Sequence, residues 1–312
     1  MRFIVHIGRP KSGTTALQHY LFHNRRGLSE QGFSYLVDPG RVNLNRSLSA
    51  INHVRLKALT SAEADERVGQ LRTTIFAQAR ETGANIVSAE TLSNVRPAVL
   101  QEVLKGSDYT VVAYVRNELD FIASSYAHWI AWNWLDVPVD TYLTPHRLKI
   151  SGNLYFLDEF AGVFGSGFRP RYYATGKTDT VTDFCDEILG VERDAFSAPR
   201  TDSAGGSLSS EMLLFKRWLV RQGYRPKEKQ KTFHALIALG SEHPGRYRLP
   251  MGVAERALAA LEPQRRTWIA KYFDDALDLT YETYEFATDE GPHPDYEALL
   301  KRFEEHIEKP TR

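Results

Sequence analysis

A segment near the N-terminus, HIGRPKSGTT, combines a lysine, two glycines and three hydroxyl side chains directly after an apolar run. The first N–H groups of a helix have no partner within the helix and lie at the positive end of its dipole, so they bind anions. Lys11 would add a full positive charge, and Gly13 would let the backbone approach the ligand closely. Arg9 is assigned to the same site, and the hydroxyl donors would be Ser12, Thr14 and Thr15.

This loop differs from the phosphate loop of nucleoside triphosphatases, G-x-x-x-x-G-K-[ST]. Gly8 and Gly13 have the required separation, but Thr14 stands where that pattern has its lysine. An alternative interpretation is an ordinary strand-to-helix turn with capping threonines. Caps account for the threonines but not for a lysine and a glycine in the same turn, so anion binding is favoured.

A second group of polar residues follows a later apolar run, YTVVAYV. Arg116 ends that run, and Ser124 lies eight positions later, about two turns into a helix predicted to begin near Glu118. An arginine at the end of a strand and a serine on the next helix could hold one phosphate between them. Considered alone, Arg116 is equally compatible with a structural salt bridge.

The hydrophobic pattern predicts the elements that must position these residues. Short runs rich in Val, Ile and Tyr indicate buried parallel strands, with the last and most polar nearer an edge: Phe3–Ile7, Asn85–Ser88, Tyr109–Val115 and Arg169–Ala174. Helical periodicity fills the intervals, at Thr14–Leu28, Ala62–Glu81, Leu119–Trp132 and Val181–Leu189. The pattern therefore predicts an α/β fold, a parallel central sheet flanked by helices. We expect one domain, with an α/β core over 1–195 and a mostly helical C-terminal part over 196–312.

Composition narrows the class of protein. The 312 residues are 42% hydrophobic and 25% charged, as in ordinary globular proteins. Lys plus Arg equals Asp plus Glu, at 39 each, so no nucleic-acid partner is indicated. A single cysteine, Cys185, excludes an intrachain disulfide, and no apolar run approaches a membrane span. No signal segment precedes the first strand, so we expect a cytoplasmic protein; its oligomeric state is not indicated.

Taken together, the two polar motifs resemble those of the PAPS-dependent sulfotransferases. RPKSGTT is similar to that family's 5′-phosphosulfate loop, and YVRNELDFIASSY is similar to its 3′-phosphate motif, over roughly residues 1–135. The resemblance implies a P-loop NTPase-like sulfotransferase fold of the bacterial or glycan-modifying branch. It also implies metal-free transfer of a sulfuryl group from 3′-phosphoadenosine 5′-phosphosulfate (PAPS) to a hydroxyl of a carbohydrate or small metabolite. Lys11–Thr15 would hold the 5′-phosphosulfate, and Arg116 with Ser124 the 3′-phosphate.

Such a transfer needs a base beside the acceptor hydroxyl. Glu90 follows the second predicted strand, so it lies at the carboxyl edge of the sheet, where open α/β sheets bind ligands. The cytosolic branch of the family has a histidine there, whereas glutamate bases occur in glycan-modifying members. Glu90 is preferred, His128 is the second choice, and His6 is a further alternative. Arg200, in the glycine-containing segment Ser197–Ser207, is assigned to a loop over the 3′-phosphate, although the R-K-G pattern of the cytosolic branch is missing.

Two other classes of function stay open at this stage. A small-molecule or nucleotide kinase with a degenerate phosphate loop would need a magnesium carboxylate and a lysine after Gly13, and neither is evident. A non-catalytic nucleotide-binding protein would keep the anion site alone. His19 and His23 have a zinc-compatible spacing but no evident third ligand, so no metal is predicted. Some of the aromatic rings in YAHWIAWNW are expected to line the acceptor cleft.

Overall fold

The computed structural model describes residues 1–9, 11–37, 61–151, 154–173, 179–196, 208–240, 242–243, 245–273 and 295–308. The chain divides into two compact units. The first comprises Met1–Asn117 and Leu154–Ala204, and the second comprises Glu118–Asn153 and Gly205–Arg312. The assignment of the whole chain to one domain, with a boundary after residue 195, stays a prediction.

A five-stranded parallel sheet forms the centre of the first unit, in the order β2-β3-β1-β4-β5. Its strands are β1 (Arg2–Ile7), β2 (Phe33–Tyr35), β3 (Ala84–Ala89), β4 (Asp108–Arg116) and β5 (Phe168–Tyr173). β1 pairs with β3 on one side and β4 on the other, and these strands are largely buried, as runs without alternation predict. The polar strand β5 lies at the edge, as expected from its sequence. The three-residue β2 was not predicted, because so short a strand has no measurable periodicity.

The helices are, in chain order, α1 (Thr14–His23), α2 (Arg25–Glu30), α3 (Ser61–Phe76), α4 (Pro97–Leu104), α5 (Glu118–Asn133), α6 (Val139–Tyr142), α7 (Pro145–Ser151), α8 (Tyr155–Phe164), α9 (Thr180–Asp183), α10 (Ser210–Arg221), α11 (Lys229–Gly240), α12 (Met251–Tyr272) and α13 (Tyr296–Glu308). A π-helical segment, Phe184–Leu189, continues α9. The predicted helix Thr14–Leu28 is two helices, α1 and α2, which meet at Asn24; the Asn24 side-chain amide donates to the carbonyl of Tyr20 at 3.0 Å.

Both faces of the sheet are covered by helices. Ile4 and Ile86 pack with Leu17 of α1 and with Phe184, which follows α9. Phe3 points to the opposite face, since side chains alternate along a strand, and its ring lies 5.3 Å from that of Phe76 in α3. The predicted α/β fold, with a parallel sheet flanked by helices, is therefore confirmed.

The elements described in the second unit are all helices, in agreement with the predicted mostly helical C-terminal part. Its core packs the buried face of α5 against α10, α11, α12 and α13. The first turn of α5 is acidic, as suits the positive end of a helix dipole. There Asp120 accepts a 2.6 Å hydrogen bond from Arg248, and Glu118 lies 3.8 Å from Arg265. These pairs fix the start of α5 within the second unit.

His6 of β1 is fully buried in the core of the first unit. Its Nδ1 lies 2.8 Å from Ser88 Oγ, and its ring packs edge-on against Tyr114 and Phe184. Burial lowers the pKa of His6 to about 3, because desolvation penalises the imidazolium. His6, considered above as an alternative base, is therefore a neutral core residue.

This burial predicts a specific loss of stability in acid. Because the pKa of His6 is lowered on folding from 6.5 to about 3, the unfolded chain binds the extra proton first as the pH falls below 6.5. The resulting contribution of neutral His6 to the free energy of unfolding is fully present at neutral pH. About 2 kcal/mol of it is lost between about pH 7 and about pH 5. Urea unfolding at the two pH values measures the loss. His6→Asn, which keeps an acceptor near Ser88 but does not titrate, should lose correspondingly less; an equal loss in both proteins contradicts the prediction.

Candidate active site

Three of the residues singled out in the sequence lie in one region of the first unit, at the carboxyl ends of three adjacent strands. Lys11 follows β1, Glu90 follows β3, and Arg116 ends β4. Because β1 lies between β3 and β4, residues separated by more than a hundred positions in the chain meet at one edge. This is the edge at which parallel α/β sheets bind ligands.

Gly8 brings the loop after β1 and the turn after β3 into close contact. Its N–H donates to the carbonyl of Ala89 at 3.0 Å, which extends the β1–β3 pairing by one residue. A Cβ atom on Gly8 would lie 2.8 Å from the Cα of Glu90 and 2.7 Å from side-chain atoms of Thr14. Glycine is therefore required at this position, and its absence of a side chain places Glu90 directly beside the loop.

The loop between β1 and α1 contains two residues in the left-handed backbone region. Lys11 has φ 67° and Gly13 has φ 84°, so two left-handed residues flank Ser12. The N–H of Ser12 donates to the carbonyl of Arg9 at 3.4 Å and closes this turn, and the loop leads directly into the N-terminus of α1, a position that suits an anion. Gly13 is the N-cap of α1 and has no side chain, so Thr14 and Thr15 are not the capping residues of the alternative interpretation.

Hydroxyl groups within the loop stabilise its shape. Ser12 is fully buried, and its hydroxyl donates to the carbonyl of Arg9 at 2.7 Å. The hydroxyl of Thr14 donates to the same carbonyl at 3.3 Å. A hydroxyl has one proton to donate, so both donors serve the loop in this conformation. Because the N–H of Ser12 also donates to the carbonyl of Arg9, the N–H groups at the start of α1 and Lys11 are the principal candidate donors for a ligand.

Burial and charge shift the ionisation of Lys11 and Glu90. Burial lowers the pKa of Lys11; Glu90 opposes this shift, and the positive charge of Arg116 adds to it. Burial raises the pKa of Glu90, and the nearby Lys11 partly offsets that rise. A carboxyl group and an ammonium group with pKa values displaced toward neutrality are typical of sites that transfer protons or stabilise transient charge.

Arg116 contacts the loop itself. Its side chain is buried, at 8% exposure, and its Nη1 donates to the carbonyl of Lys11 at 2.9 Å. The guanidinium carbon lies 5.5 Å from the centre of the Tyr173 ring, at the end of β5. The end of β4 is thereby connected to the left-handed turn after β1.

Thr180, at the start of α9, also contacts the loop and was not identified from the sequence. Its hydroxyl donates to the carbonyl of Ser12 at 3.2 Å, and its side chain is buried against Gly13. Asp179 caps α9 by accepting from the N–H groups of Val181 and Thr182. The sequence signal that could have identified Thr180 is the pair Asp179–Thr180, because an aspartate followed by a threonine shortly after a strand is typical of a helix start.

The far end of α9 is anchored to the sheet. Asp183 accepts from the hydroxyl of Tyr114 at 2.7 Å and from Nε of Arg171 at 3.0 Å, with a further bond to Nη2 of Arg171. Tyr114 lies on β4 and Arg171 on β5. The position of Thr180 therefore depends on the strands at one side of the sheet.

The remaining predicted site residues lie elsewhere in the chain. Ser124 and His128 are on α5 of the second unit, where Ser124 is half-buried and His128 is exposed. The ring of His128 stacks on that of Trp132, which is 44% exposed, whereas Tyr126 and Trp134 are core residues. Arg200, the segment Ser197–Ser207 and residues 38–60 lie outside the described residues. The roles assigned to these residues stay predictions.

The described residues contain no group of three His, Cys, Asp or Glu side chains that could hold a metal ion. The rings of His19 and His23 have centroids 6.4 Å apart on α1. Within the same described ranges, no helix is both long and apolar enough to cross a membrane.

The chain was compared with known proteins in three ways. No protein-family model matches it, and no curated protein matches it. Among solved structures it is similar to a sulfotransferase from Alicyclobacillus acidocaldarius, with a TM-score of 0.37 and 14% sequence identity. That alignment covers 73% of this chain and 98% of the other.

The turn at Gly13 predicts the effect of a single methyl group. Gly13→Ala would place a Cβ atom 2.4 Å from the hydroxyl oxygen of Thr180 at a left-handed φ, so we expect it to destabilise the protein and to abolish anion binding. Gly106→Ala is the matched control, because Gly106 has φ 80° and nothing within 4 Å of an added Cβ.

Urea unfolding and calorimetric titration with 3′-phosphoadenosine 5′-phosphate (PAP) measure the two effects. For Gly106→Ala, the free energy of unfolding should fall by about 1 kcal/mol because of the left-handed backbone, and the affinity for PAP should not change. Equal losses of stability and affinity in the two variants would refute the proposed close packing at Gly13.

Proposed function

We propose that this protein is a PAPS-dependent sulfotransferase, which transfers a sulfuryl group to a hydroxyl of a carbohydrate or small metabolite in the cytoplasm. The observation that carries the proposal is the left-handed turn at Lys11. Lys11 belongs to the loop between β1 and α1, and its ammonium group interacts electrostatically with Glu90 and Arg116, which supports an anion site there.

The loop suits a phosphosulfate. The N–H groups at the start of α1 would supply directed donors, and Lys11 would supply charge without a metal ion. The donor brings an activated sulfuryl group whose transfer leaves negative charge on the bridging oxygen. By analogy with phosphoryl transfer, the transition state is loose and in line, so a cation held at the bridging position lowers the barrier. Lys11 is the residue that we assign to this task.

Glu90 is the residue that we assign as general base. Overall, a bond forms between the acceptor oxygen and sulfur, the bond from sulfur to the bridging oxygen breaks, and PAP leaves. The hydroxyl proton goes to a carboxylate of Glu90, whose raised pKa makes it a better proton acceptor than an ordinary glutamate. Burial beside the loop therefore improves the base and keeps it near the sulfuryl position.

The 3′-phosphate is assigned to Arg116, whose planar guanidinium suits phosphate oxygens. Its Nη1 donates to the carbonyl of Lys11, which holds the guanidinium group beside the loop. The roles of Ser124 and Arg200 at this phosphate, and of His128 as an alternative base, are proposals from the sequence alone.

A panel of nucleotides tests the proposed donor. We expect PAP to raise the melting temperature without magnesium, because the loop supplies its own cation at Lys11. ADP and ATP should have smaller effects, with or without magnesium, since they lack a 3′-phosphate. Thermal shift measurements give the comparison. Magnesium-dependent stabilisation by ATP would favour the kinase, and PAP binding without transfer to any hydroxyl acceptor would favour the non-catalytic protein.

Replacing the base should separate rate from binding. Glu90→Gln keeps the shape of the side chain but cannot accept the proton, so turnover of PAPS should fall at least about a hundredfold while PAP affinity is kept. In the native enzyme, the rate should fall on the acid side as Glu90 is protonated, with a midpoint above the ordinary 4.5 because its pKa is raised. Near-normal turnover by the variant, or an unchanged acid limb, would exclude Glu90 as the base.

A further inference from the structure

Three carbonyl groups of the loop accept hydrogen bonds from side chains of the protein. The carbonyl of Arg9 accepts from two hydroxyl groups of the loop, that of Lys11 accepts from Arg116, and that of Ser12 accepts from Thr180. A carbonyl turned toward a bound anion would repel it, because both are negative. The fixed carbonyls therefore decide which side of the loop can accept an anion.

The Ser12–Gly13 peptide is the clearest case. No cis peptide occurs in the described residues, so the C=O of Ser12 and the N–H of Gly13 point in opposite directions. Thr180 holds the carbonyl on one side, and the N–H of Gly13 therefore faces the other. Glycine at position 13 imposes no steric barrier to rotation of this peptide, so an external contact is needed to select one orientation.

We propose that Thr180 is a positioning residue for anion binding, whose hydroxyl holds the Ser12–Gly13 peptide so that the Gly13 N–H donates to the ligand. The proposal rests on the proposed function for the identity of that ligand. The loop, the hydrogen bond from Thr180 and the buried contact with Gly13 all lie within the first unit.

The anchoring of α9 makes Thr180 suitable for this task. Asp179 caps one end of the helix, and Asp183 is held at the other by Tyr114 and Arg171. The Thr180 side chain is 3% exposed, so its hydroxyl has few other partners and water does not compete for it. A rigid donor of this kind reduces the reorganisation that a ligand would otherwise have to drive.

Three variants distinguish the effect of the Thr180 hydroxyl on anion binding from the effect of the shape of its side chain. Thr180→Val keeps the branched shape and removes the hydroxyl, whereas Thr180→Ser keeps the hydroxyl and removes the methyl group. Thr182→Val is the matched control, because Thr182 donates to Asp179 at 2.9 Å in the same helix and makes no described contact with the loop. We expect Thr180→Val to weaken PAP binding about fivefold, and the other two to bind as the native protein does.

The amide signal of Gly13 reports the orientation directly. Only three Ser–Gly pairs occur in the sequence, so carbonyl-labelled serine with nitrogen-labelled glycine isolates this amide among three signals. In the native protein and in Thr180→Ser, PAP should move the Gly13 proton downfield as a bond to the anion forms. In Thr180→Val the movement should be clearly smaller even when the site is saturated, a change that a purely structural role would not produce.

Each outcome separates this proposal from the proposed function. If Thr180→Val binds PAP with native affinity and the native Gly13 shift, the positioning role is overturned while the donor assignment stands. If the native protein does not bind PAP, the same titrations are repeated with inorganic pyrophosphate. A Gly13 response that depends on Thr180 would then support the positioning role without the donor, and a response that is absent or independent of Thr180 would overturn it.

Discussion

The left-handed turn from Lys11 to Gly13 is the constraint on which the rest of the site depends. A lysine in this conformation costs about 1 kcal/mol relative to a right-handed one, so the turn persists only because surrounding groups hold it. Arg116 and Thr180 bond to consecutive carbonyls of the turn, and Ser12 bonds back to Arg9. The cost is local, whereas the groups that offset it come from β4, from α9 and from the loop itself.

The order of the strands converts that local conformation into a site. β1 lies between β3 and β4, so the loop is flanked by Glu90 on one side and Arg116 on the other. Gly8 removes the one side chain that would separate the loop from Glu90. Three chain segments with different tasks are thereby held at one sheet edge by backbone pairing, which is more rigid than side-chain contact alone.

Burial supplies the electrostatic character of the site. Lys11 and Glu90 are each desolvated, which lowers the pKa of the first and raises that of the second, and each partly offsets the shift of the other. In a partly dehydrated site their charges also act more strongly on a ligand than they would in water. This favours chemistry in which charge moves during the reaction, and it explains why a metal-free transfer is the function that we propose.

By itself, the sequence determined the α/β class, three of the central strands to within one or two residues, the edge position of β5 and the strand–loop–helix order around Lys11 and Gly13. These features depend on local properties: the apolar period of a strand, and the spacing of lysine and glycine before a helix. It also identified Glu90 and Arg116, because each directly follows or ends an apolar run. Only the tertiary structure decided that His6 is a neutral core residue, that Arg116 binds the carbonyl of Lys11 and that Thr180 contacts Ser12. Those contacts join positions 82 to 168 residues apart, and no local pattern records a distance through space.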